Sequence, residues 1–282
     1  MTPAAAATVG EALAAATDAI AASGSASPRL DAELLLAAAT GSRRESFATE
    51  PERCLDGPEA RAFGALVRRR VGHEPVAYIL GHRGFRRIEL RTDARALIPR
   101  PETEELVDLA LELEPERVLD IGTGSGAVAL AVADELPGAE IVAVDVSAAA
   151  AALARENAAM LGLADRVRVV DGPVASAEGE FDLALANLPY VREDERGSLP
   201  PDVVDHEPHA ALFAGTDGLG VIRDVLVALA PGGAGPRCAA VGLEVGAGQA
   251  REVAGLVGAA GYPAVSIRPD LAGIERVVVG RR

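Results

Sequence analysis

Residues 117–145 constrain the fold most. RVLDIG reads as a buried strand, GTGSG as a tight glycine loop, AVALAVADEL as a helix and EIVAVD as a second buried strand. Two strands joined through a helix by short loops open a right-handed parallel crossover, because a right-twisted strand feeds a helix back onto its own sheet in only that hand. Apolar runs at 166–170, 181–186, 238–245, 264–268 and 275–279 follow, separated by helical periodicity at about 147–161, 218–230 and 247–260. That alternation predicts a doubly wound α/β sheet. With 282 residues in the chain there is room beside it for a second, smaller domain.

The first 75 or so residues carry a different pattern. Thr8 and Glu11 have capping-box spacing ahead of Leu13, Ala16 and Ile20, and Ser27 with Pro28 opens a helix carrying Leu30, Leu34 and Ala38 as far as Gly41. A further helix sets Phe63, Leu66, Val67 and Val71 on one side and stops near Gly72 and Pro75. From Gly84 to Ile98 the period becomes two, with Ile88, Leu90 and Thr92 on one face and a turn expected near Asp93. The expected division is a helical domain at 1–80, a hairpin linker at 81–100 bridging two domains, and a catalytic domain at 101–282.

Composition removes several classes of chemistry. All 27 basic residues are arginine, which excludes a Walker A lysine, a pyridoxal Schiff base and a lysine general base. Cys54 and Cys238 are too few for a disulfide framework or a four-thiolate metal site, and each is expected to be a small buried hydrophobe in a reducing compartment. No uncharged apolar run of about 18 residues occurs, and no basic residue precedes Arg29, so neither a spanning helix nor a secretory signal is expected. The expected location is the cytoplasm.

Against 42 acidic residues the net charge is -15, yet Arg61–Arg100 holds ten arginines and only Glu74, Glu89 and Asp93, a local +7 that leaves -22 elsewhere. An acidic body does not suit stable nucleic-acid binding, which depends on neutralising phosphates. The basic belt is either a docking surface for an acidic partner or a stretch of RNA, or a solvated helix face followed by an Arg-rich hairpin. Asp205, His206, Glu207 and His209 are interrupted by Pro208 and lack further histidines nearby, so no metal is expected there. His73 and His82 are read as structural.

The loop Gly122-Thr123-Gly124-Ser125-Gly126 stands where glycines let a ligand approach backbone, and Asp145 ends the next strand 21 residues after Gly124, placed to accept both ribose hydroxyls of a nucleoside. Its glycine spacing, G-x-G-x-G rather than G-x-G-x-x-G, and the preceding Asp120 favour S-adenosylmethionine over a dinucleotide. Asp120 can hold the loop or face a cationic amino-acid tail. Asp171 is placed to meet an adenine amino group, or else forms an Asp-Gly turn with Gly172.

The fourth strand runs directly into Asn187-Leu188-Pro189-Tyr190. Asn-x-Pro-Tyr at this place resembles the motif of class I methyltransferases that modify a planar nitrogen, whose delocalised lone pair makes it a poor nucleophile. Asn187 can accept one N–H in its side-chain carbonyl and the Leu188 backbone carbonyl can accept the other, while Tyr190 packs on the planar group. In-line approach to a sulfonium methyl at about 3 Å is then a matter of positioning.

GHRGFRRIELRTDARALIPRPETEELV at 81–107, with VLDIGTGSGAVALA, NLPYV and DHEPHAALFAGTDGL at 205–219, resembles the HemK/PrmC family, the peptide chain release factor glutamine N5-methyltransferases. The resemblance covers about residues 70–280, and LIPRPETE is its most discriminating part. It implies a class I, Rossmann-like S-adenosylmethionine domain behind a small helical domain for release-factor recognition, acting on the glutamine of a Gly-Gly-Gln loop in class I release factors. By position it implies donor contacts at Gly122–Gly126, Asp145, Asp171, Gly172 and Asn187, and substrate contacts at Asn187, Leu188, Pro189 and Tyr190, with Arg100 and Pro101 beside them. Two positions depart from the family pattern: Leu188 stands where the family usually has proline, and Gly172 where members can carry a bulky residue against adenine. The alternatives are an rRNA or DNA amino-group methyltransferase, and an S-adenosylmethionine-binding paralogue without turnover.

Overall fold

Helix starts are written locally. Thr8 Oγ1 accepts from Glu11 N at 3.2 Å while Glu11 returns to Thr8 N at 2.9 Å, and Asp56 and Glu59 repeat this capping box at 2.7 and 3.0 Å. The computed structural model describes residues 7–282, so the first six residues of the expected helical domain lie outside the described residues. In chain order come α1 (Val9–Ala22), α2 (Pro28–Thr40), α3 (Ser46–Thr49), α4 (Gly57–Val71), α5 (Val76–Leu80), β1 (His82–Phe85) and β2 (Ile88–Arg91). Next are α6 (Glu104–Leu113), β3 (Arg117–Ile121), α7 (Ala127–Glu135), β4 (Glu140–Asp145), α8 (Ala148–Met160), β5 (Val167–Asp171) and β6 (Glu180–Asn187). The chain ends with α9 (Pro201–His206), α10 (His209–Leu212), α11 (Gly220–Leu229), β7 (Arg237–Glu244), α12 (Ala250–Ala259), β8 (Ala264–Pro269) and β9 (Glu275–Arg281).

One compact unit takes the described residues up to Gly81 together with Pro200–His206. Its core joins Leu13 and Ile20 of α1 to Leu35, Leu36, Phe47, Phe63 and Ile79. The inward face of α2 is rotated from the expected one: Asp31, Ala32, Leu35 and Leu36 are buried and Leu30 is exposed. An ion pair causes the rotation. Arg70 of α4 donates to Asp31 at 2.8 Å with both side chains under a tenth exposed, and the Ser25 and Ser27 hydroxyls also donate to Asp31. Arg70 thus takes the inward place expected of Val71, which is exposed. Cys54 is exposed, contrary to expectation, with its backbone bridged to Thr8; Cys238 is buried.

The other unit, His82–Leu199 and Glu207–Arg282, holds a seven-stranded sheet in the order β5-β4-β3-β6-β7-β9-β8. Its first five strands are parallel, and β9 runs antiparallel to both β7 and β8. Register brings the strand ends level, with Ile121 beside Val144 and Ala186, Asp145 beside Asp171, and Asn187 beside Glu244. Helices α6 and α7 cover one face, and α11 and α12 pack on the other.

The hairpin of β1 and β2 belongs to this second unit, and its turn is at Arg86-Arg87 rather than near Asp93. Arg86 adopts a positive φ of 51°, and this unusual backbone is held by its own side chain: the guanidinium reaches Glu135 at 2.8 Å and Asp108 at 2.5 Å. Asp93 instead accepts from Arg95 at 2.8 Å in the bend that follows β2.

Asn157, fully buried on α8, joins hairpin to glycine loop: Nδ2 donates to Ser125 O at 2.8 Å and Arg91 O at 3.1 Å, and Oδ1 accepts from Arg91 N at 2.8 Å. Asn157→Leu leaves those backbone groups buried without partners, so we expect it to destabilise the protein by about 2–4 kcal/mol, read from the urea midpoint by circular dichroism.

Candidate functional site

The loop between β3 and α7 turns tightly because Gly122, Gly124 and Gly126 all take positive φ, at 72°, 58° and 87°. A Cβ on Gly126 would lie 2.8 Å from Leu130 Cδ1, and one on Gly122 would lie 3.1 Å from Leu188 Cδ2. Thr123 and Ser125 are buried between them, and Gly122 N and Thr123 N both donate to Val144 O. Of its two possible roles, Asp120 performs the first. Its carboxylate accepts from Thr123 Oγ1 at 2.6 Å and Ala129 N at 3.2 Å, fastening the loop from beneath. Burial pushes its pKa up to about 6 despite those two hydrogen bonds.

Asp145 ends β4 with each oxygen already engaged, Oδ2 by Gly124 N and Oδ1 by Ser147 N, both at 2.8 Å. Burial raises its pKa and the backbone donors oppose the rise. A carboxylate has about four acceptor sites, so each oxygen retains capacity for a ligand hydroxyl. Asp171 stands beside it in register with its side chain exposed. Gly172 N donates to Asp145 O at 2.8 Å with φ 146°, and a Cβ there would lie 2.5 Å from Ser176 Oγ. The missing side chain at Gly172 thus has a local steric reason. Val146, which sequence reasoning passed over, is an apolar side chain 78% exposed beside Asp145.

At the end of β6, Asn187 Nδ2 donates to Thr103 Oγ1 at 2.9 Å, leaving the side-chain carbonyl as the acceptor it offers. Leu188 points into the core against Gly122, so the Asn-x-Pro-Tyr segment and the glycine loop are packed together by one side chain. Pro189 and the half-buried Tyr190 follow. Gln249 fixes the Tyr190 backbone, its Nε2 donating to Tyr190 O at 2.9 Å while its Oε1 accepts from Gly246 N at 2.8 Å. Nothing in local sequence pattern links Gln249 to Tyr190, since the contact spans 59 residues.

Pro101 opens a 3-10 turn, Pro101–Thr103, that delivers Thr103 to Asn187. The turn is anchored by buried Glu207, which accepts from Ile98 N at 3.0 Å and pairs with the Arg100 guanidinium. Glu244, at the end of β7, is 2% exposed. Burial pushes its carboxyl up to about 7, opposed first by a hydrogen bond from Thr103 and then by the charge of Arg276. Glu244 does not stand out in the sequence, and Glu207 does so only as one of four weighed metal ligands and as part of the 205–219 motif. Seven of the ten belt arginines, Arg69, Arg70, Arg86, Arg87, Arg91, Arg95 and Arg100, pair with carboxylates, so most of the belt's charge is balanced locally.

A parallel sheet whose strand ends gather a glycine loop, a carboxylate cradle and Asn-x-Pro-Tyr defines a class I methyltransferase. The catalytic domain of hMettl16, solved in complex with MAT2A 3'UTR hairpin 6, has the same fold at a TM-score of 0.55 and 17% identity, over 68% of this chain and 74% of that one. The family profile for the PrmC N-terminal domain matches residues 11–81, and that for the methyltransferase small domain matches 103–204. Release factor glutamine methyltransferases are similar over nearly the whole length. That of Deinococcus radiodurans is 42% identical, covering 91% of this chain and 92% of its own, and that of Caulobacter vibrioides is 38% identical, covering 90% and 89%. The protein of the same name from Agrobacterium fabrum is 37% identical over 98% of both chains. The chain belongs to the release factor glutamine methyltransferase family.

The elevated Glu244 pKa has a stability consequence with a definite sign. A carboxyl that binds its proton more tightly folded than unfolded favours the fold below the unfolded value near 4.5, and that benefit is lost as pH rises to about 7. Glu244→Gln is therefore expected to raise unfolding free energy at pH 8, by on the order of 2–3 kcal/mol, with the difference closing below pH ~4.5. Denaturant titrations of both proteins across pH 4–8 check this.

Proposed function

We propose that the chain transfers a methyl group from S-adenosylmethionine to the side-chain amide nitrogen of the glutamine in the Gly-Gly-Gln loop of peptide chain release factors. The observation that carries this reading is the orientation of Asn187: with Nδ2 bound to Thr103, its carbonyl is left to accept an N–H, which is what an amide NH2 offers. Its place beside the glycine loop, through Leu188 against Gly122, supports transfer between two ligands held side by side.

The donor site fits the residues present. Gly122, Gly124 and Gly126 keep the loop clear of side chains, Asp145 has acceptor capacity for ribose hydroxyls, and Asp171, Gly172 and Val146 border the place for adenine. S-adenosylmethionine, when bound, supplies an electrophilic methyl carbon, so that an N–C bond forms as the S–C bond breaks and an amide proton is released. Asn187 and the Leu188 carbonyl each hold one N–H, which turns both protons away from the attacking side and pushes the nitrogen toward tetrahedral geometry. Replacing the family's proline by Leu188 leaves that carbonyl in place, and Pro189 keeps Leu188 extended. Tyr190, with its hydroxyl pKa raised by burial and by Glu244, stays neutral and packs on the planar amide.

Arg100 and Pro101 border the substrate side, and the N-terminal helical unit contributes release-factor recognition. The locally balanced arginine belt favours a protein substrate over RNA. No helix among the described residues is long and apolar enough to cross a membrane, which suits work on release factors in the cytoplasm.

Incubation with labelled donor and either a release factor or ribosomal RNA, followed by mass spectrometry of the Gly-Gly-Gln peptide, tests the assignment. A mass gain of one methyl on glutamine is expected. Label on RNA alone, or donor binding with no labelled product, overturns it. Asn187→Ala is expected to lower methylation at least 100-fold while leaving the donor Kd within about threefold, by calorimetry.

A further inference from the structure

The ladder between β6 and β7 ends at Asn187 beside Glu244, so Tyr190 lies three residues past its last rung. Pro189, just before it, has no N–H to give. The Tyr190 backbone is held instead by a side chain 59 residues away. Gln249 Nε2 donates to Tyr190 O at 2.9 Å, and its Oε1 accepts from Gly246 N at 2.8 Å. A side-chain amide can turn over and exchange its two ends. Here only one orientation makes both bonds, because a backbone N–H can only donate and a backbone carbonyl can only accept.

Two glycines make room for this arrangement. A Cβ on Gly246 would lie 3.1 Å from Tyr190 Cδ2 and 2.8 Å from Gln249 Oε1, so the tyrosine ring lies close against backbone. A Cβ on Gly218 would lie 2.4 Å from Tyr190 O and 2.9 Å from Gln249 Nε2, and Gly218 has a φ of 73° that favours glycine. Gly218 belongs to GTDGL, the end of the 205–219 motif, for which neither donor binding nor the amide chemistry supplies a use. Residues leading into it pair with the chain after Tyr190: Val191 N donates to Leu212 O at 3.0 Å, and Ala214 N to Val191 O at 2.9 Å. Tyr190 is thus fixed at its carbonyl by Gln249, at its ring by Gly246 and downstream by the strand-like pairing with 212–214.

We propose that Gln249 is a positioning residue, which sets the Tyr190 ring against the substrate amide by holding the Tyr190 carbonyl, with Gly218 and Gly246 as the walls that admit it. This rests on the reading of Tyr190 as the ring that packs on the glutamine amide. Gln249→Glu keeps the size and the acceptor for Gly246 N but turns a carboxylate oxygen toward Tyr190 O. Gln249→Leu removes both bonds. Gly218→Ala leaves Gln249 in place and pushes on Tyr190 O directly.

The test combines steady-state kinetics on a release factor with 19F NMR of protein labelled with 3-fluorotyrosine. The chain has three tyrosines, Tyr78, Tyr190 and Tyr262, so the Tyr190 signal is assigned by its loss in Tyr190→Phe. All three variants are expected to lower kcat about 10- to 30-fold, with KM and donor Kd within about threefold. The Tyr190 signal should shift or broaden in each while those of Tyr78 and Tyr262 stay in place, which shows that the fold is kept. In a Tyr190→Ala background, Gln249→Leu should change kcat by less than about twofold, because the ring it positions is gone. Unchanged kcat in Gln249→Glu and Gln249→Leu, an unmoved Tyr190 signal, movement of all three signals together, or losses that multiply in the double variant overturn the proposal. If the unaltered chain transfers no methyl group, the functional reading falls, and the 19F signals alone decide whether Gln249 holds Tyr190.

Discussion

Strands β5, β4, β3, β6 and β7 run in one direction and bring their last residues to one edge of the sheet. A parallel ladder fixes not only which strands are neighbours but how far each extends beside the next. One residue of slip would turn every side chain to the opposite face. The observed register sets Asn187 level with Glu244 and Asp145 level with Asp171, so groups far apart in the chain meet through backbone pairing before any side-chain contact forms. The helices then decide which of these ends stay open to a ligand.

Polar groups at that edge are buried, and their satisfaction is shared rather than local. Asp120 is satisfied by the loop it closes, Asn157 by the hairpin and the loop together, and Glu207 by the segment leading into α6. Each of these side chains restrains a stretch of irregular backbone that has no ladder of its own. Such backbone is where a site needs accuracy and where regular secondary structure gives none. Glu244 differs, because one of its oxygens remains unpartnered among the described residues, and its carboxyl is the one driven to about 7.

Much of the fold is legible because its signals are short-range. The capping box at Thr8, the stop at Gly41 and the buried runs of β3 and β4 depend on neighbours a few residues away, and these elements fall close to their expected limits. The failures are places where a distant partner overrides the local pattern. Leu30, Leu34 and Ala38 look like an inward face, but Arg70 draws Asp31 inside and rotates α2. Asp favours turns, which places the expected hairpin turn at Asp93, yet the ties from Arg86 to Glu135 and Asp108 stabilise a left-handed residue nearer the start of the hairpin. The glycine loop, Asp145 and Asn187 are visible by motif. Glu244 and Gln249 are not, because a lone carboxylate or amide acquires meaning only from what lies opposite.

The two departures from the family pattern show how local packing can absorb a change at a site. At Leu188 the ring of a proline is exchanged for a branched side chain that lies against Gly122, and the β6 end is joined to the glycine loop through core contact instead of ring rigidity. At Gly172 the φ of 146° strains any other residue, and a Cβ would also require the Ser176 hydroxyl to move aside. The surface such a side chain would offer to adenine has a neighbour in Val146, the residue after Asp145, whose backbone carbonyl accepts from Gly172 N. Both positions keep their backbone groups, the Leu188 carbonyl and the hydrogen bond from Gly172 N to Asp145 O, whatever side chain stands there. A site built chiefly from backbone groups and strand register tolerates side-chain drift around it, whereas a side-chain amide such as that of Asn187, bound to Thr103, depends on its own partner for orientation.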